Sequence, residues 1–169
     1  MRRLSFATNM GTKQVDLGDL IELGYDSEQV SMMSERVILV DTSDNEVGSM
    51  SKVDAHRGEG VLHRAFSILI FDDSDRLLLQ KRAADKITFP NVWANTVCSH
   101  PLADRNENDS SELGSGAIIA AIRKMEQEMG IDTNTFSLSD IHFITRMLYR
   151  AKSGDGWTEY ELDHILFAR

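Results

Sequence analysis

The only cysteine of the chain, Cys98, lies two residues before His100 in the segment Thr96–Pro101. A lone cysteine has no disulfide partner within the chain, and a neighbouring histidine can bind a metal or transfer protons near neutral pH. Taken alone, a free cysteine is more often a small buried hydrophobic residue than a reactive group. The segment is therefore compatible with an inert core thiol or with a proton carrier, and other residues must decide between them.

The last predicted hairpin carries three further groups that could move protons or bind a metal. Apolar strand patterns at 141–152 and 157–168 flank the Gly-rich turn 153–156, and a three-residue loop centred on Asp155 would place Tyr149 opposite Glu161. Because side chains alternate along a strand, Glu159 would share the face of Glu161. Two carboxylates and a phenol would then form one patch, but on this hairpin alone a solvated, charged sheet face is the favoured interpretation.

Three of the five histidines lie near the ends of predicted elements, where segments converge: His56, His63 and His100. With Glu159 and Glu161 they would offer five N and O ligands to a six-coordinate metal. No HExxH or paired CxxC motif is present, so spacing alone leaves the metal site open. His142 and His164 fall inside strand patterns, where we expect structural roles.

Lys124 and Glu128 lie one turn apart on a predicted helix. The simple interpretation is an i,i+4 ion pair. The functional alternative is that Glu128 holds a divalent cation on a phosphate-bearing ligand while Lys124 contacts the phosphate. Three further cations would complete an anion site in this acidic chain: Lys52, Arg82 and Lys86.

The elements that must position these groups alternate between strands and a helix. Hairpins are predicted at 36–40 with 46–50 and at 61–71 with 76–82, the second joined by the turn Asp72–Asp75. A polar stretch at 102–112 is predicted to be a solvated loop before a helix at 116–129, which Gly130 ends. Its buried stripe is expected at Ile118, Ile119, Ile122 and Met125.

Composition bounds the class of protein. The chain has 169 residues, 41% of them hydrophobic, which fits one packed domain, and its formal charge of −9 disfavours nucleic acid or anionic membranes as partners. No apolar run reaches the roughly 20 residues of a membrane span, and no secretory signal pattern is present. We expect a cytoplasmic protein. A peroxisomal or other organellar location is the alternative, because Met1–Lys13 has basic and hydroxyl residues but no acid.

Four motifs together resemble the type 1 isopentenyl-diphosphate isomerases of the Nudix superfamily: Leu62–Ser67, Ile87–Pro90, Asn95–Pro101 and Glu159–Glu161. The resemblance runs from about Ser34 to Arg169. It implies an α/β fold, a Nudix-type α/β/α sandwich with a mixed sheet and β-hairpins, spanning 34–169 after a partly flexible extension at 1–33. It also implies metal-dependent interconversion of isopentenyl and dimethylallyl diphosphate, with this small-molecule diphosphate as the partner and no role for nucleic acid or membrane.

The resemblance also implies roles for individual residues. Cys98 and Glu161 match the catalytic cysteine and glutamate, Tyr149 assists proton transfer, and we expect Glu161 with Tyr149 on the protonating side. The metal ligands would be His56, His63, His100, Glu159 and Glu161, holding Zn²⁺, Mn²⁺ or Mg²⁺. Glu128 would hold Mg²⁺ against a diphosphate that lies among Lys52, Arg82, Lys86 and Lys124. Lys124 replaces the usual arginine of the family, and Trp93 is expected in the core, with a place beside the reacting carbons as the alternative.

Two other functions stay open at this point. A Nudix pyrophosphohydrolase would carry more carboxylates in the segment Arg123–Gly130, where Lys124 and Gln127 stand in place of two acids, so an isomerase is favoured. A truncated, non-catalytic metal- or diphosphate-binding module is the third possibility, because family members continue beyond Arg169. We expect a monomer, with self-association as the alternative if the domain is truncated.

Overall fold

A computed structural model describes residues 17–132, 134, 137–154 and 156–169. Within them the helices are α1 (Leu17–Glu22), α2 (Ser27–Met32), α3 (Lys52–His56) and α4 (Ser115–Met129). The strands are β1 (Arg36–Val40), β2 (Glu46–Ser51), β3 (His63–Ile70), β4 (Gln80–Lys81), β5 (Trp93–Ala94), β6 (Val97–Ser99), β7 (Ile141–Ser153) and β8 (Trp157–Ala168). The basic stretch Met1–Lys13 and the turn residue Asp155 lie outside the described residues.

The main sheet is mixed, as expected. Its order is β2-β1-β3-β8-β7, and β6 also pairs with β3. The β3–β8 pair is parallel, whereas β1–β2, β1–β3, β3–β6 and β7–β8 are antiparallel. The first and last predicted hairpins are confirmed, and Tyr149 pairs with Glu161 in the predicted register. A bulge at Ile144, which the pattern did not indicate, shifts the register between Phe143 and Thr145.

The second predicted hairpin is shorter than expected. Its turn forms, since Asp75 N–H donates to Asp72 O and Phe71 pairs with Leu77. Beyond this point the returning chain leaves β3, and β4 pairs with β5 instead. The prediction of a strand to Arg82 along β3 was therefore wrong.

Competition for hydrogen bonds explains the early end of that hairpin. The Thr96 hydroxyl accepts a hydrogen bond from Ile70 N–H and donates one to Leu78 O, so it lies between the two strands. Strand β6 then takes the edge of β3 from Phe66 to Ile68. A strand has only one such edge free once its other neighbour, β8, is in place.

Helix α4 packs on one face of the sheet through small residues. Ala117, Ala120, Ala121 and Met125 are buried against Phe66, Ile68, Val97 and Leu166. The predicted isoleucine stripe is thus displaced: Met125 is buried as expected, but Ile118 and Ile122 pack at the margin of this core and Ile119 is half-buried. Alanine lets the helix approach the sheet closely, which a row of branched residues would prevent. Gly130, with φ 64°, ends the helix as predicted.

The opposite face of the sheet is covered by the first three helices and a loop. Their buried cluster contains Leu20, Val30, Met33, Val53, Ile87 and Trp157. Because Trp157 lies on the same face of β8 as Glu159 and Glu161, these helices lie on the side that carries the candidate site. Among the described residues, no helix is long and apolar enough to cross a membrane.

The polar segment 102–112 is more than the predicted solvated loop, because it contains a buried carboxylate. Glu107 is 2% exposed, accepts a hydrogen bond from Leu102 N–H, and pairs through both oxygens with Arg123 of α4. Arg123 also donates to His100 O at 3.3 Å. The pair therefore links α4 to the end of β6.

Replacing Glu107 with glutamine should destabilise the fold by about 3 kcal/mol, because it leaves the Arg123 guanidinium in a largely buried position without its counter-charge. The measurement is the free energy of unfolding from urea denaturation. The matched control is Glu112→Gln, at an exposed glutamate of the same segment, which should change it by less than about 0.5 kcal/mol. Equal stability of the two variants would contradict the assigned role of the ion pair.

A second polar network fixes the turn between β1 and β2. Asp44, with φ 72°, accepts hydrogen bonds from Arg64, Arg146 and His164, which lie on β3, β7 and β8. Burial by itself would raise the pKa of Asp44, but the hydrogen bonds from His164 and Arg64 outweigh it and lower the pKa to about 2. His164 thus has the structural contact expected for it.

This network predicts the acid sensitivity of the fold. A carboxyl with a pKa of 3.8 in the unfolded chain and about 2 in the native state stabilises the fold above pH 4, and this contribution disappears as the pH falls from 4 to 2. Asp44→Asn should cost about 2 kcal/mol at pH 7 and flatten stability between pH 4 and 2. Urea denaturation at several pH values tests this, with Asp73→Asn as the exposed control. An unchanged acid slope in Asp44→Asn would refute it.

Candidate functional site

A cavity of about 400 Å³ opens on the sheet face that carries Tyr149 and Glu161. Ten of the predicted site residues line it: Lys52, Arg82, Lys86, Cys98, His100, Lys124, Glu128, Tyr149, Glu159 and Glu161. The other two, His56 and His63, lie behind its wall against Glu161. The fold therefore brings together side chains that are separated by as many as 109 positions in the sequence, from Lys52 to Glu161.

Three histidines and one carboxylate form a buried group that could hold a metal ion: His56, His63, His100 and Glu161. Their ligand atoms all lie within 4.8 Å of one another. Glu161 Oε1 lies 2.9 Å from His100 Nε2, 3.6 Å from His63 Nε2 and 3.8 Å from His56 Nε2. Strand pairing explains part of this convergence, because His63 on β3 lies beside Glu161 on β8.

The hydrogen bonds of two of these histidines orient their free nitrogens toward Glu161. His56 Nδ1 lies 2.8 Å from Lys52 O and His63 Nδ1 lies 2.7 Å from Val61 O, so both Nδ1 atoms carry the hydrogen in neutral rings. Their Nε2 lone pairs then point toward a carboxylate oxygen, and His63 Nε2 is buried with no hydrogen-bond partner among the described residues. Lone pairs directed at an anion are the arrangement that a cation between them would satisfy.

The protonation states also fit metal binding. Burial lowers the pKa values of His56 and His100, which keeps both rings neutral. Burial alone would raise the pKa of Glu161, but its hydrogen bond with His100 Nε2 and the nearby rings of His56 and His63 hold it well below its usual range. Neutral imidazoles and an ionised carboxylate are the forms that bind a divalent metal.

Glu159 lies outside this group of four. Its Oε2 accepts a hydrogen bond from Tyr149 Oη at 3.2 Å, and the same hydroxyl donates to Glu161 Oε2. Burial, and then the charge of Glu161, raise the pKa of Glu159, and the same two causes raise the pKa of Tyr149. The predicted patch of two carboxylates and a phenol is confirmed, with the phenol proton shared between the carboxylates.

Cys98 lies on the cavity wall with its thiol protonated. Burial raises the pKa of Cys98 to about 11, which outweighs the opposing effect of its contact with Ser67. Sγ lies 3.4 Å from Ser67 Oγ. The thiol is neither fully buried nor in a disulfide, so the inert-core alternative does not describe its position.

The other side of the cavity is rich in cations around Glu128. Glu128 Oε1 lies 3.6 Å from Lys86 Nζ and 3.9 Å from Lys124 Nζ, so the i,i+4 contact on α4 is present. Burial lowers the pKa of Lys124 to about 8 and also lowers that of Lys52. Cations that are desolvated in this way gain from an anionic ligand.

Arg82 has a contact that its predicted role did not include. Its Nε donates to Phe89 O at 2.9 Å and its Nη2 donates to Thr88 O at 2.6 Å, so it holds the loop that forms one cavity wall. Phe89 adopts φ 47°, an uncommon value for a residue with a side chain, and Ser153 Oγ accepts its N–H. Trp93 also lines the cavity and is 68% exposed, so the expectation that it packs in the core was wrong.

Sequence reasoning missed several polar residues of the cavity wall, among them Ser67 and Asp163. The alternation that placed Glu159 and Glu161 on one face of β8 also places Asp163 there, so the signal was present for this residue. Ser67 carried no such signal, because its neighbours in β3 are apolar on both sides and only the pairing with β6 places it next to Cys98.

Comparison with known proteins gives an independent result. The family model described as "NUDIX domain" matches residues 61–169. The chain is 45% identical over 152 residues to "Isopentenyl-diphosphate delta-isomerase IDI1" of Gibberella zeae, covering 86% of this chain and 60% of that protein. It is 45% identical over 149 residues to "Isopentenyl-diphosphate delta-isomerase" of Schizosaccharomyces pombe, covering 85% and 65%. The chain thus spans about 60% of the length of the curated relatives it matches.

A solved structure supports the fold. The crystal structure of DR0079 from Deinococcus radiodurans superposes with a TM-score of 0.52, covering 80% of this chain and 72% of that chain. The sequence identity is 18%, so this similarity concerns the fold alone.

Proposed function

The chain belongs to the NUDIX domain family, and from that membership and the cavity we propose that it interconverts isopentenyl diphosphate and dimethylallyl diphosphate. The observation that carries the proposal is one cavity that holds Cys98, the Tyr149–Glu161 pair and a cation-rich region around Glu128. The names of the relatives agree with it.

The reaction needs two proton carriers at one alkene. One carbon gains a proton while another loses one, through a state with carbocation character that water would trap. Cys98 and the Tyr149–Glu161 pair are the groups in the cavity that would carry these protons. The diphosphate would bind at Lys52, Arg82, Lys86 and Lys124. The side chains around the cavity would exclude water from the reacting carbons.

The protonation states suggest which group acts first. Cys98 holds its proton and Glu161 is ionised. In the direction from isopentenyl to dimethylallyl diphosphate we therefore assign proton donation to Cys98 and proton acceptance to Glu161, with Tyr149 stabilising the carboxylate. This reverses the expectation from the sequence, which placed Glu161 on the donating side. In the opposite direction the two roles exchange.

Two metal sites belong to this proposal. Three imidazoles and a carboxylate suit Zn²⁺ or Mn²⁺ as well as Mg²⁺ at the histidine group, and Glu159 would complete that set after a side-chain movement. Glu128 would hold Mg²⁺ against the diphosphate, whose remaining charge the lysines would neutralise. A metal held by the histidine group would supply positive charge that favours the ionised form of Glu161.

A pyrophosphohydrolase is less well supported by helix α4. Of its two glutamates, Glu128 lines the cavity and Glu126 is exposed, while Arg123 is engaged with Glu107. A single carboxylate on this helix offers little to activate water on a metal-bound diphosphate.

The test is to incubate the protein with Mg²⁺ and isopentenyl diphosphate and to separate an allylic diphosphate from released phosphate. We expect the allylic diphosphate, which is the product of an isomerase. Phosphate release would favour the hydrolase, and a folded, metal-loaded protein that yields neither product would favour a non-catalytic binding module.

Metal removal gives a further prediction. Dialysis against a chelator should abolish isomerisation and lower the melting temperature. A cation bound between the lone pairs of the neutral histidines and the Glu161 carboxylate would stabilise the native state, and its removal would take that stabilisation away. Adding back Zn²⁺, Mn²⁺ or Mg²⁺ singly, with metal content measured on the same samples, identifies the ion. Full activity in a metal-free protein supplied with Mg²⁺-free substrate would contradict both proposed metal sites.

A further inference from the structure

A buried polar pair lies directly behind Cys98. Ser67 is 5% exposed and Asp163 is 3% exposed, and neither has a part in the mechanism above. Ser67 Oγ lies 2.8 Å from Asp163 Oδ2 and 3.4 Å from Cys98 Sγ. Burying a hydroxyl and a carboxyl costs free energy that only their hydrogen bonds offset. The contacts of this pair with each other and with the thiol are therefore candidates for a functional role.

The sheet topology builds this contact from three strands. Strand β3 lies between β6 and β8, and Ser67 pairs with Cys98 on one side. On the other side β8 runs parallel to β3, with Ala65 beside Asp163. Ser67, Cys98 and Asp163 therefore share one face of the sheet, which is also the face of Glu161.

Hydrogen-bond capacity determines how the three groups are arranged. A serine hydroxyl has one hydrogen to donate, and the shorter contact with the carboxylate takes it. The lone pairs of Ser67 Oγ then face the sulfur, where they can accept the S–H of Cys98. Asp163 Oδ1 has no hydrogen-bond partner among the described residues, so the hydrogen bond from Ser67 is the contact that this carboxyl makes there.

We propose that Ser67, held in place by Asp163, positions the Cys98 thiol for proton transfer. The inference rests on the proposed isomerase function. With the sulfur held at the cavity wall, rotation about Cβ–Sγ turns the thiol hydrogen from Ser67 toward the alkene without moving the sulfur. Ser67 and Asp163 act through Cys98 and are positioning residues, not proton carriers to the substrate.

The S–H stretching vibration tests the hydrogen bond without any need for activity. Cys98 is the only cysteine, so the infrared band belongs to one thiol, and Cys98→Ala verifies the assignment. The spectra of the wild type and of all variants are taken in the same buffer at the same pH. We expect Ser67→Ala to move the band to higher wavenumber, because the S–H group loses its hydrogen-bond acceptor. Ser99→Ala, at a neighbouring serine on the opposite face of β6, should leave it unchanged.

Kinetics test the consequence for catalysis. Ser67→Ala should lower kcat roughly tenfold or more while KM changes less than about twofold, because the cations that bind the diphosphate are unaltered. Asp163→Leu should do the same, and Asp163→Asn, which keeps an acceptor oxygen, should fall between it and wild type. The double variant Ser67→Ala/Asp163→Leu should be no slower than Ser67→Ala, since the two residues act in series.

An S–H band that does not move in Ser67→Ala would overturn the proposal even if the wild type has no isomerase activity. Additive losses in the double variant, or a loss expressed only in KM, would also overturn it. If the band shifts as expected but no allylic product forms with the wild type, the proposed function fails while the hydrogen-bonded arrangement of the thiol stands. Melting temperatures within a few degrees of wild type verify that Asp163→Leu is folded.

Discussion

Replacing Glu161 with glutamine is expected to abolish isomerisation and weaken metal binding at the same time. Glu161 is the residue that all three buried histidines contact, and it is also the carboxylate that accepts a hydrogen bond from the Tyr149 hydroxyl. A neutral amide neither receives a proton from the substrate nor offsets the charge of a divalent cation. We expect kcat to fall by at least about 10⁴-fold, the upper range for loss of one acid–base group, because two functions are lost.

The measurement is conversion of isopentenyl diphosphate together with metal content after gel filtration. The matched control is Glu126→Gln, at an exposed glutamate of α4 that does not line the cavity. Glu126→Gln should retain both the metal and the activity. Conversion by Glu161→Gln within tenfold of the wild type would remove Glu161 from the proposed chemistry.

Replacing Cys98 with alanine should have nearly as large an effect on catalysis but none on the metal. Cys98 is protonated at the cavity wall, and alanine removes this proton carrier while Glu161 and the histidines stay in place. We expect kcat to fall by about 10²–10⁴-fold with KM nearly unchanged. Metal content and the free energy of unfolding should stay close to those of the wild type, because one small, partly exposed side chain is lost.

The contrast between the two variants is the informative result. If Glu161→Gln loses the metal and Cys98→Ala keeps it, only Glu161 acts as a metal ligand, and the loss of activity in Cys98→Ala reports proton transfer. Cys98→Ser should be slow as well, because a hydroxyl gives up its proton less readily than a thiol. Equal conversion by the wild type, Cys98→Ala and Glu161→Gln would refute the assigned roles of both residues.

Local patterns were sufficient for several features of this protein. Strand alternation and a short turn predicted that Tyr149 faces Glu161, and a glycine predicted where α4 ends. Both follow from interactions between residues close in sequence, whose geometry is set by backbone sterics and the pleat of a strand. Motif similarity added the candidate site residues, and ten of those twelve side chains line one cavity.

Other features were decided by packing between distant segments. The apolar period of α4 indicated a helix but not which face is buried. Ala117 and Ala121 pack closely on the sheet, so the isoleucines lie at the margin of the core. The burial of Glu107 could not be predicted from its polar stretch, because only the ion pair with the distant Arg123 makes this burial favourable. Thr96 likewise ended the second hairpin through contacts that no local pattern reports.

The sequence by itself determined which groups are available for chemistry: one thiol, a phenol, paired carboxylates and histidines, and the strands and helix that carry them. The tertiary structure decided which of these groups meet. In the folded chain three histidines lie around Glu161, and Glu159 lies outside this group with a hydrogen bond from Tyr149. Ser67 and Asp163 lie next to Cys98. The physical reason is that strand order, and the desolvation it imposes on each side chain, depend on pairing between β3, β6 and β8, which are distant in the chain.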